Sequence, residues 1–291
     1  MSRVSWSAAL ALCLPLAICA QVPPSPAAAP PARRVVSLLP AATEILLALG
    51  AGDALVARTE GDRDPVLAPL RSVGQVLTPN LEVLASVRPD LVIAWPDADL
   101  AAVTRVVERG DGRLERIAID RLGDLEPAIR RLGAWVGRAR AADSLAASVA
   151  ATLRLAREAG AAVATPSGAR RPRVLWVVWS DPIVVAGPGT FIADVIDVAG
   201  GANAASDAGA PWPRLGAESL LATGADVLVW PEGDGVFPAA ELGRRARWSS
   251  LTAVRAGRVI VVDPDRVHVP GPEIAEVALD LAHALTGLVT P

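Results

Sequence analysis

At 291 residues, 52% of them apolar and 20% charged, the chain has enough apolar mass for sizeable cores, which excludes disorder as its main state. The length suits two lobes of roughly 120 to 130 residues each better than one simple core. The net charge is only −3, and all 28 basic residues are arginines scattered among acidic ones, which excludes nucleic acid as a partner.

The first twenty residues, MSRVSWSAALALCLPLAICA, place one arginine before an apolar stretch that ends in small residues. This is the layout of a secretory signal peptide over 1–20 and predicts export to the periplasm. Both cysteines, Cys13 and Cys19, lie in this segment, so no disulfide or thiol metal site is expected in the folded body. LAIC offers a lipid-attachment cleavage before Cys19, an atypical one because Ile18 stands where such sites prefer Gly, Ala or Ser. Residues 21–32 read as an extended Pro/Ala tether. No later segment reaches the ~20 apolar residues that span a bilayer.

RRVVSLLP (33–40) has the β-branched run of a buried strand, and TEILLALG (43–50) reads as a helix with Thr43 as cap and Gly50 as stop. A short strand LVAR, a turn-rich EGDRDP, a helix NLEVLASVRPD and a strand LVIAW follow, giving an α/β lobe over 33–140. The stretch 141–165 carries Leu145, Val149, Leu153 and Ala156 at helical spacing among alanines. It predicts one linking helix of ~24 residues, on the order of 35 Å long. A second lobe over 166–291 repeats the order: strand PRVLWVVWS, helix TFIADVIDVAGG, helix RLGAESLLATGAD and strand VLVW. The fold class expected is therefore α/β, two related lobes with mainly parallel sheets joined by one long helix.

The repeat is close. In both lobes a Glu (Glu82, Glu218) precedes an Asp (Asp90, Asp226) by eight residues, and the Asp leads into an apolar run that ends on Trp. Asn80 and Gly216 are acceptable helix caps, so each Glu falls in a first helical turn, where the helix dipole alone favours it by ~0.3 to 1 kcal/mol.

Catalytic chemistry finds little support. The two histidines are His268, in a loop, and His283, in the C-terminal helix, and neither completes an acyl-transfer triad or a zinc site. AGPGTFIADV (186–195) reads as a strand-to-helix turn, since the phosphate-loop lysine is absent. Asp62, Asp64, Asp97 and Asp99 read as surface-loop carboxylates without calcium spacing. No enzyme activity, cofactor or metal is expected.

The segments VVSLLPAATEILLALGAGDALVA, VGQVLTPNLEVLASVRPDLVIAW, GGANAASDAGAPWPRLGAESLLATGADVLVW and PGPEIAEVALDLAHAL together resemble the helical-backbone (class III) family of ABC-importer substrate-binding proteins, most of all its cobalamin-binding members. The similarity runs from about Arg33 to Leu285. The resemblance implies a monomer that holds its ligand in a cleft between the lobes and delivers it to a membrane permease and its ATPase, with Glu82 and Glu218 as the docking pair. It implies ligand contacts from Trp212 and Asp265.

Trp95 ends a strand at the edge where α/β lobes bind, and aromatic faces suit a large flat ring. Trp179 and His268 stand in neighbouring loops. Glu60 and Ile183 occupy positions where the family offers aromatic residues, and Val76 or Leu77 replaces another. For Trp135, Trp176, Trp230 and Trp248 ordinary packing is expected. A corrinoid such as cobalamin leads the ligand readings. Haem or a ferric siderophore is the alternative within the family, with Arg58, Arg63, Arg214 and Arg266 as chelate-binding candidates, and an exported α/β hydrolase is the reading from another class.

Overall fold

Apolar runs that must be covered on both faces become parallel strands flanked by helices, and this chain does so twice. The computed structural model describes residues 30–96, 98–164, 170–233, 236–267 and 269–289. Apart from Pro30 these belong to one unit, Pro31–Pro291, with Met1–Pro30 as another. The expected signal peptide and Cys19 lie outside the described residues.

The first half runs β1 (Val35–Ser37), α1 (Pro40–Ala48), β2 (Leu55–Ala57), α2 (Leu81–Ser86), β3 (Leu91–Ala94), α3 (Ala101–Arg109), β4 (Arg113–Arg116) and α4 (Leu122–Trp135). Its strands form a fully parallel sheet in the order β2-β1-β3-β4. The 26-residue α5 (Ala139–Ala164) follows. The second half runs β5 (Arg173–Ser180), β6 (Ile183–Val185), α6 (Phe191–Val198), β7 (Ala202–Asn203), α7 (Ala217–Ala222), β8 (Val227–Pro231), α8 (Ala246–Ser249), α9 (Thr252–Arg255), β9 (Val259–Val262), α10 (Pro264–Val267) and α11 (Ile274–Val289). Here the order is β6-β5-β8-β9, with β7 also paired to β5; only β6 is antiparallel.

α1 starts earlier than the sequence suggests. Pro40 takes its first turn, where a fixed φ and a missing N–H cost nothing, so Thr43 is a buried helical residue and not the cap. At the other end of the tether, Ala32 is already in the core and donates its amide to the Trp135 carbonyl at 2.7 Å.

The repeated Glu–Asp pattern has a structural half. Asp90 accepts the amides of Arg33 and Arg34 at 2.9 and 3.0 Å, strapping the start of β3 to the start of β1. Asp226 accepts the Arg173 amide at 2.8 Å and so straps β8 to β5. The arginine that opens β1 or β5 also caps the helix leading into the partner strand: Arg34 Nε donates to the Val87 carbonyl at 3.2 Å, and Arg173 Nε to the Thr223 carbonyl at 2.9 Å. Those carbonyls close α2 and α7, whose last C=O groups have no partner within the helix.

One continuous apolar cluster crosses both halves, taking in Ile45, Leu91 and Leu132, then Ala146 and Ala156 on α5, then Val195, Val229 and Leu281. Two further clusters cover the outer faces of the two sheets. α5 approaches the end of α6 so closely that a Cβ on Gly160 would run into the Val198 carbonyl, and a Cβ on Gly200, at φ +85°, into the Gly160 carbonyl. A shared core of this kind resists independent movement of the two halves.

Candidate functional site

Open α/β sheets bind ligands beyond the carboxyl ends of their strands. In this chain those edges face each other. Arg63 lies beyond the end of β2 and Asp265 beyond the end of β9, and the two side chains form a salt bridge of 2.9 Å between the halves. Arg121, at the start of α4, pairs with Asp194 on α6 as a second link, reinforced by the Leu122 amide at 3.0 Å.

The aromatic residues divide sharply by exposure. Trp176, Trp230 and Trp248 are core residues, whereas Trp95, Trp179 and Trp212 are 39%, 41% and 43% exposed. Trp95 follows β3 at the carboxyl edge of the first sheet, and Arg116 Nη1 holds its loop by hydrogen bonds to the carbonyls of Trp95, Pro96 and Ala98. Trp179 is near the carboxyl end of β5, with its indole N–H donating to the Asp181 carbonyl at 3.0 Å. Trp212 rides on a loop that lies across Gly187, whose amide donates to the Pro211 carbonyl at 2.8 Å; any Cβ on Gly187 would meet the Ala210 carbonyl. The glycine-rich turn before α6 thus serves as the seat of the Trp212 loop. Trp212 also meets Phe191 edge to face at 6.3 Å.

The remaining expected residues separate. Glu60 is exposed beyond β2, and Asp265 is exposed and paired with Arg63. Ile183 is a correction: at 1% exposure it packs in the second half's outer core, as the first residue of β6, and offers no face to a ligand. His268 lies outside the described residues. His283 is exposed on α11. Of the arginines, Arg266 sits within 3.4 to 3.7 Å of Glu273, Glu276 and Asp280, and the Arg58 guanidinium is half-buried against the Thr59 carbonyl.

Glu82 and Glu218 are both exposed in the first turns of α2 and α7. Asn80 caps α2, its side chain accepting the amides of Glu82 and Val83 at 3.0 and 3.1 Å. The two helices begin on the carboxyl-edge side of their sheets. Asn80 is tied to Val73 and through it to Arg58, just beyond β2; Leu215, next to the Gly216 cap, is tied to Ile183, which pairs with the last residue of β5.

A cavity of about 460 Å³ lies where the edges meet, walled by α1, by residues 61–65 with Leu67, and by Asp265, Arg266, Val269 and residues 271–274. It contains two residues the sequence reading missed. Asp62, expected on the surface, is 8% exposed, and its Oδ2 accepts the amide and hydroxyl of Thr59 at 2.6 and 2.8 Å. The T-x-x-D spacing of a side-chain-capped turn was its available signal. Glu44 is the one charge in the apolar α1, half-buried against Gly271 so closely that a Cβ there would clash with its Oε2. Burial, then the nearby charges of Glu273, Asp62, Asp265 and Asp64, push its carboxyl up to about 8. No group of three His, Cys, Asp or Glu converges as a metal site among the described residues, and no helix among them is long and apolar enough to cross a membrane.

Comparison with known proteins agrees with this geometry. The sequence profile of the family described as "Periplasmic binding protein" matches residues 35–266. An uncharacterized ABC transporter substrate-binding lipoprotein, YvrC, of Bacillus subtilis is 29% identical over 87% of this chain and 80% of its own length. A cobalamin-binding protein of Halobacterium salinarum is 31% identical over 86% of this chain and 69% of its own. Among solved structures, the periplasmic heme-binding protein RhuT of Roseiflexus sp. RS-1, in apo form, superposes with a TM-score of 0.77 at 26% identity, covering 89% of this chain and 99% of that one. The chain belongs to the periplasmic binding protein family, as a substrate-binding protein of the ABC-importer class.

Proposed function

We propose that the protein captures a corrinoid, cobalamin or a close relative, between the facing carboxyl edges and delivers it to a membrane permease and its ATPase. The observation that carries this reading is the set of three exposed tryptophans, Trp95 on the first half and Trp179 and Trp212 on the second, at edges that the Arg63–Asp265 pair holds face to face. Aromatic faces bury much area of a flat ring at little cost in rotamer freedom. Asp265 supplies a polar contact on the same side, and Glu60 lines the approach from the first half. His268 remains a contact candidate from its place in the sequence.

Haem is the second reading, favoured by the likeness to a heme-binding structure. Haem iron takes His, Cys, Met or Tyr ligands. Beyond residue 30 the sequence has no Cys, Met or Tyr, and its two histidines are His268 and the α11 residue His283. Haem would thus depend on His268 for an axial ligand, whereas a ring that needs no protein ligand for its metal makes no such demand. The ferric-chelate reading loses one of its arginines, since Arg266 sits among three carboxylates.

Glu82 and Glu218 are proposed as the docking pair, exposed at matching positions on the rim of the cleft. The protein then works without catalysis, as a monomer, in the periplasm, after export directed by residues 1–20, with Cys19 as an atypical anchoring site. Lobes 33–140 and 166–291 with the strut 141–165 are the proposed working parts. Titration of the purified protein with cobalamin, cobinamide, haem and a ferric siderophore tests the ligand order. Sub-micromolar binding of a corrinoid with quenched tryptophan fluorescence is expected; binding of haem or the siderophore alone would reverse it.

A further inference from the structure

β6 is the edge of its sheet, and residues 211–215 are laid along its open side. The Val185 amide donates to the Pro213 carbonyl at 3.2 Å, the Leu215 amide to the Ile183 carbonyl at 2.9 Å and the Gly187 amide to the Pro211 carbonyl at 2.8 Å, while Val184 pairs antiparallel with Arg214. Pro211 and Pro213 have no amide to donate, so an edge position, where they only accept, suits them. Ile183, withdrawn into the core, thus serves the aromatic face through its backbone. Gly187 is a glycine for space and not for conformation. Its φ lies outside the left-handed region, yet a Cβ would run into the Ala210 carbonyl and come within 2.9 Å of Pro213 Cδ. The turn around Gly187 is itself fixed. Asn203 Nδ2 donates to the Ala186 carbonyl at 3.0 Å. The Thr190 hydroxyl, at 2% exposure, donates to the Gly187 carbonyl at 3.0 Å and accepts the Ala193 amide as the cap of α6. Backbone bonds therefore grip the residues on either side of Trp212, and Phe191 meets its ring edge to face.

We propose that Gly187 is a positioning residue for ligand capture: by letting residues 211–215 close onto β6, it fixes the Trp212 ring in its binding orientation before the ligand arrives. The inference rests on Trp212 as a ligand contact, and it names the residue that sets where that contact stands. A ring face already held in place loses little freedom when a flat ligand stacks on it, so affinity depends on the seat as well as on the indole. A side chain at position 187 cannot push back a backbone carbonyl without lifting the segment. Lifting it draws the Pro211 and Pro213 carbonyls off their donors and carries Trp212 along. Gly187 acts through Trp212, and a substitution there is silent toward the ligand once Trp212 is gone.

The test uses the protein labelled with 5-fluorotryptophan, in which fluorine NMR reports each indole and the resonance missing from Trp212→Phe identifies Trp212. Gly187→Ala is expected to shift or broaden that resonance, while the solvent-shielded resonances of Trp176, Trp230 and Trp248 keep their positions. Calorimetry follows with cobinamide, or with haem if haem is the ring that the wild type binds. Affinity is expected to fall at least about tenfold in Gly187→Ala, and by less than about twofold when the same change is made in Trp212→Ala. If Gly187→Ala does not fold, Thr190→Val takes its place. It keeps the side-chain shape, withdraws the hydroxyl from the Gly187 carbonyl, and is expected to weaken binding about threefold, again only where Trp212 is present. An unmoved Trp212 resonance, an unchanged affinity, or an equal loss with and without Trp212 overturns the positioning role while the ligand reading stands. A Trp212→Ala variant that binds as tightly as the wild type overturns the inference together with the place of Trp212 in the site. Should neither ring bind the wild type, the corrinoid and haem readings fall, and a moved resonance still keeps Gly187 as the seat of Trp212.

Discussion

The two ends of the sheets teach different things. At the amino ends the two halves are built alike: an arginine opens β1 or β5 and caps α2 or α7, and an aspartate at the start of β3 or β8 takes the amides of the neighbouring strand. At the carboxyl ends they differ. The first half presents Trp95, Glu60 and Arg63, the second Trp179, Trp212 and Asp265, with Ile183 withdrawn into the core. The two halves share what holds their strands in register and differ at the ends where the ligand is proposed to bind. Function is therefore to be sought at the unlike ends.

The largest effect is expected where the halves touch. Gly160→Val places a side chain against the carbonyl of Val198, a backbone atom that cannot yield cheaply. Loss of several kcal/mol, or failure to accumulate folded protein, is expected by urea unfolding; a loss under 1 kcal/mol would mean that the strut is not tightly seated.

The straps come next and test their equivalence. Asp226→Ala and Asp90→Ala are each expected to cost roughly 1 to 3 kcal/mol by leaving strand amides without their acceptor, and the solvent-exposed Arg170, which bonds Asp226 twice at 2.8 Å, adds at most about 1 kcal/mol to the first. Burial pushes the Asp226 carboxyl up, but the hydrogen bonds from Arg170 and the Arg173 amide, with the charges of Arg170 and Arg258, outweigh it and hold the group below its ordinary 3.8. Its contribution is thus present above that value and lost as pH falls through the lower native one. The loss of stability in acid should be shallower in Asp226→Ala than in the wild type.

Glu44 has the opposite sign. With its carboxyl raised from 4.5 to about 8, the native chain keeps a proton that the unfolded chain has released, so stability falls as pH rises between those values and levels off above them. Glu44→Gln is expected to flatten that decline and to gain up to a few kcal/mol at pH 9. An unchanged melting profile across pH 5 to 9 would contradict the buried setting of this residue.

The smallest effect on stability belongs to the rim. Glu82→Ala with Glu218→Ala should cost no more than about 1 kcal/mol each, the worth of a carboxylate in a first helical turn. Import in cells should nevertheless be lost while ligand affinity is kept. Retained import would remove the docking role from this pair.

Much of the scaffold could be read from the residues because it obeys local rules. The strut expected over 141–165 is Ala139–Ala164, since alanine-rich periodicity needs no partner to be recognised. The caps at Asn80 and Gly216 and the exposed Glu82 and Glu218 follow from first-turn chemistry alone. The site was less legible because its parts come together only through distant contacts. Arg63 meets Asp265 across 202 positions, Asp62 is buried by a turn that folds onto Thr59, and Glu44 acquires its setting from Gly271 and Glu273 in the other half. Thr43 was misplaced for a local reason, Pro40 being the better helix start. Ile183 was misplaced because the β6 hairpin turns it inward.

The most direct test is calorimetric titration of cobinamide into the wild type and into the Trp95→Ala, Trp212→Ala double variant. Sub-micromolar binding by the wild type is expected, weakened at least a hundredfold in the variant while it remains folded by circular dichroism, since both side chains present part of their faces at the carboxyl edges. Equal affinity in the two proteins, or no corrinoid binding by the wild type, would contradict a cleft built from those edges.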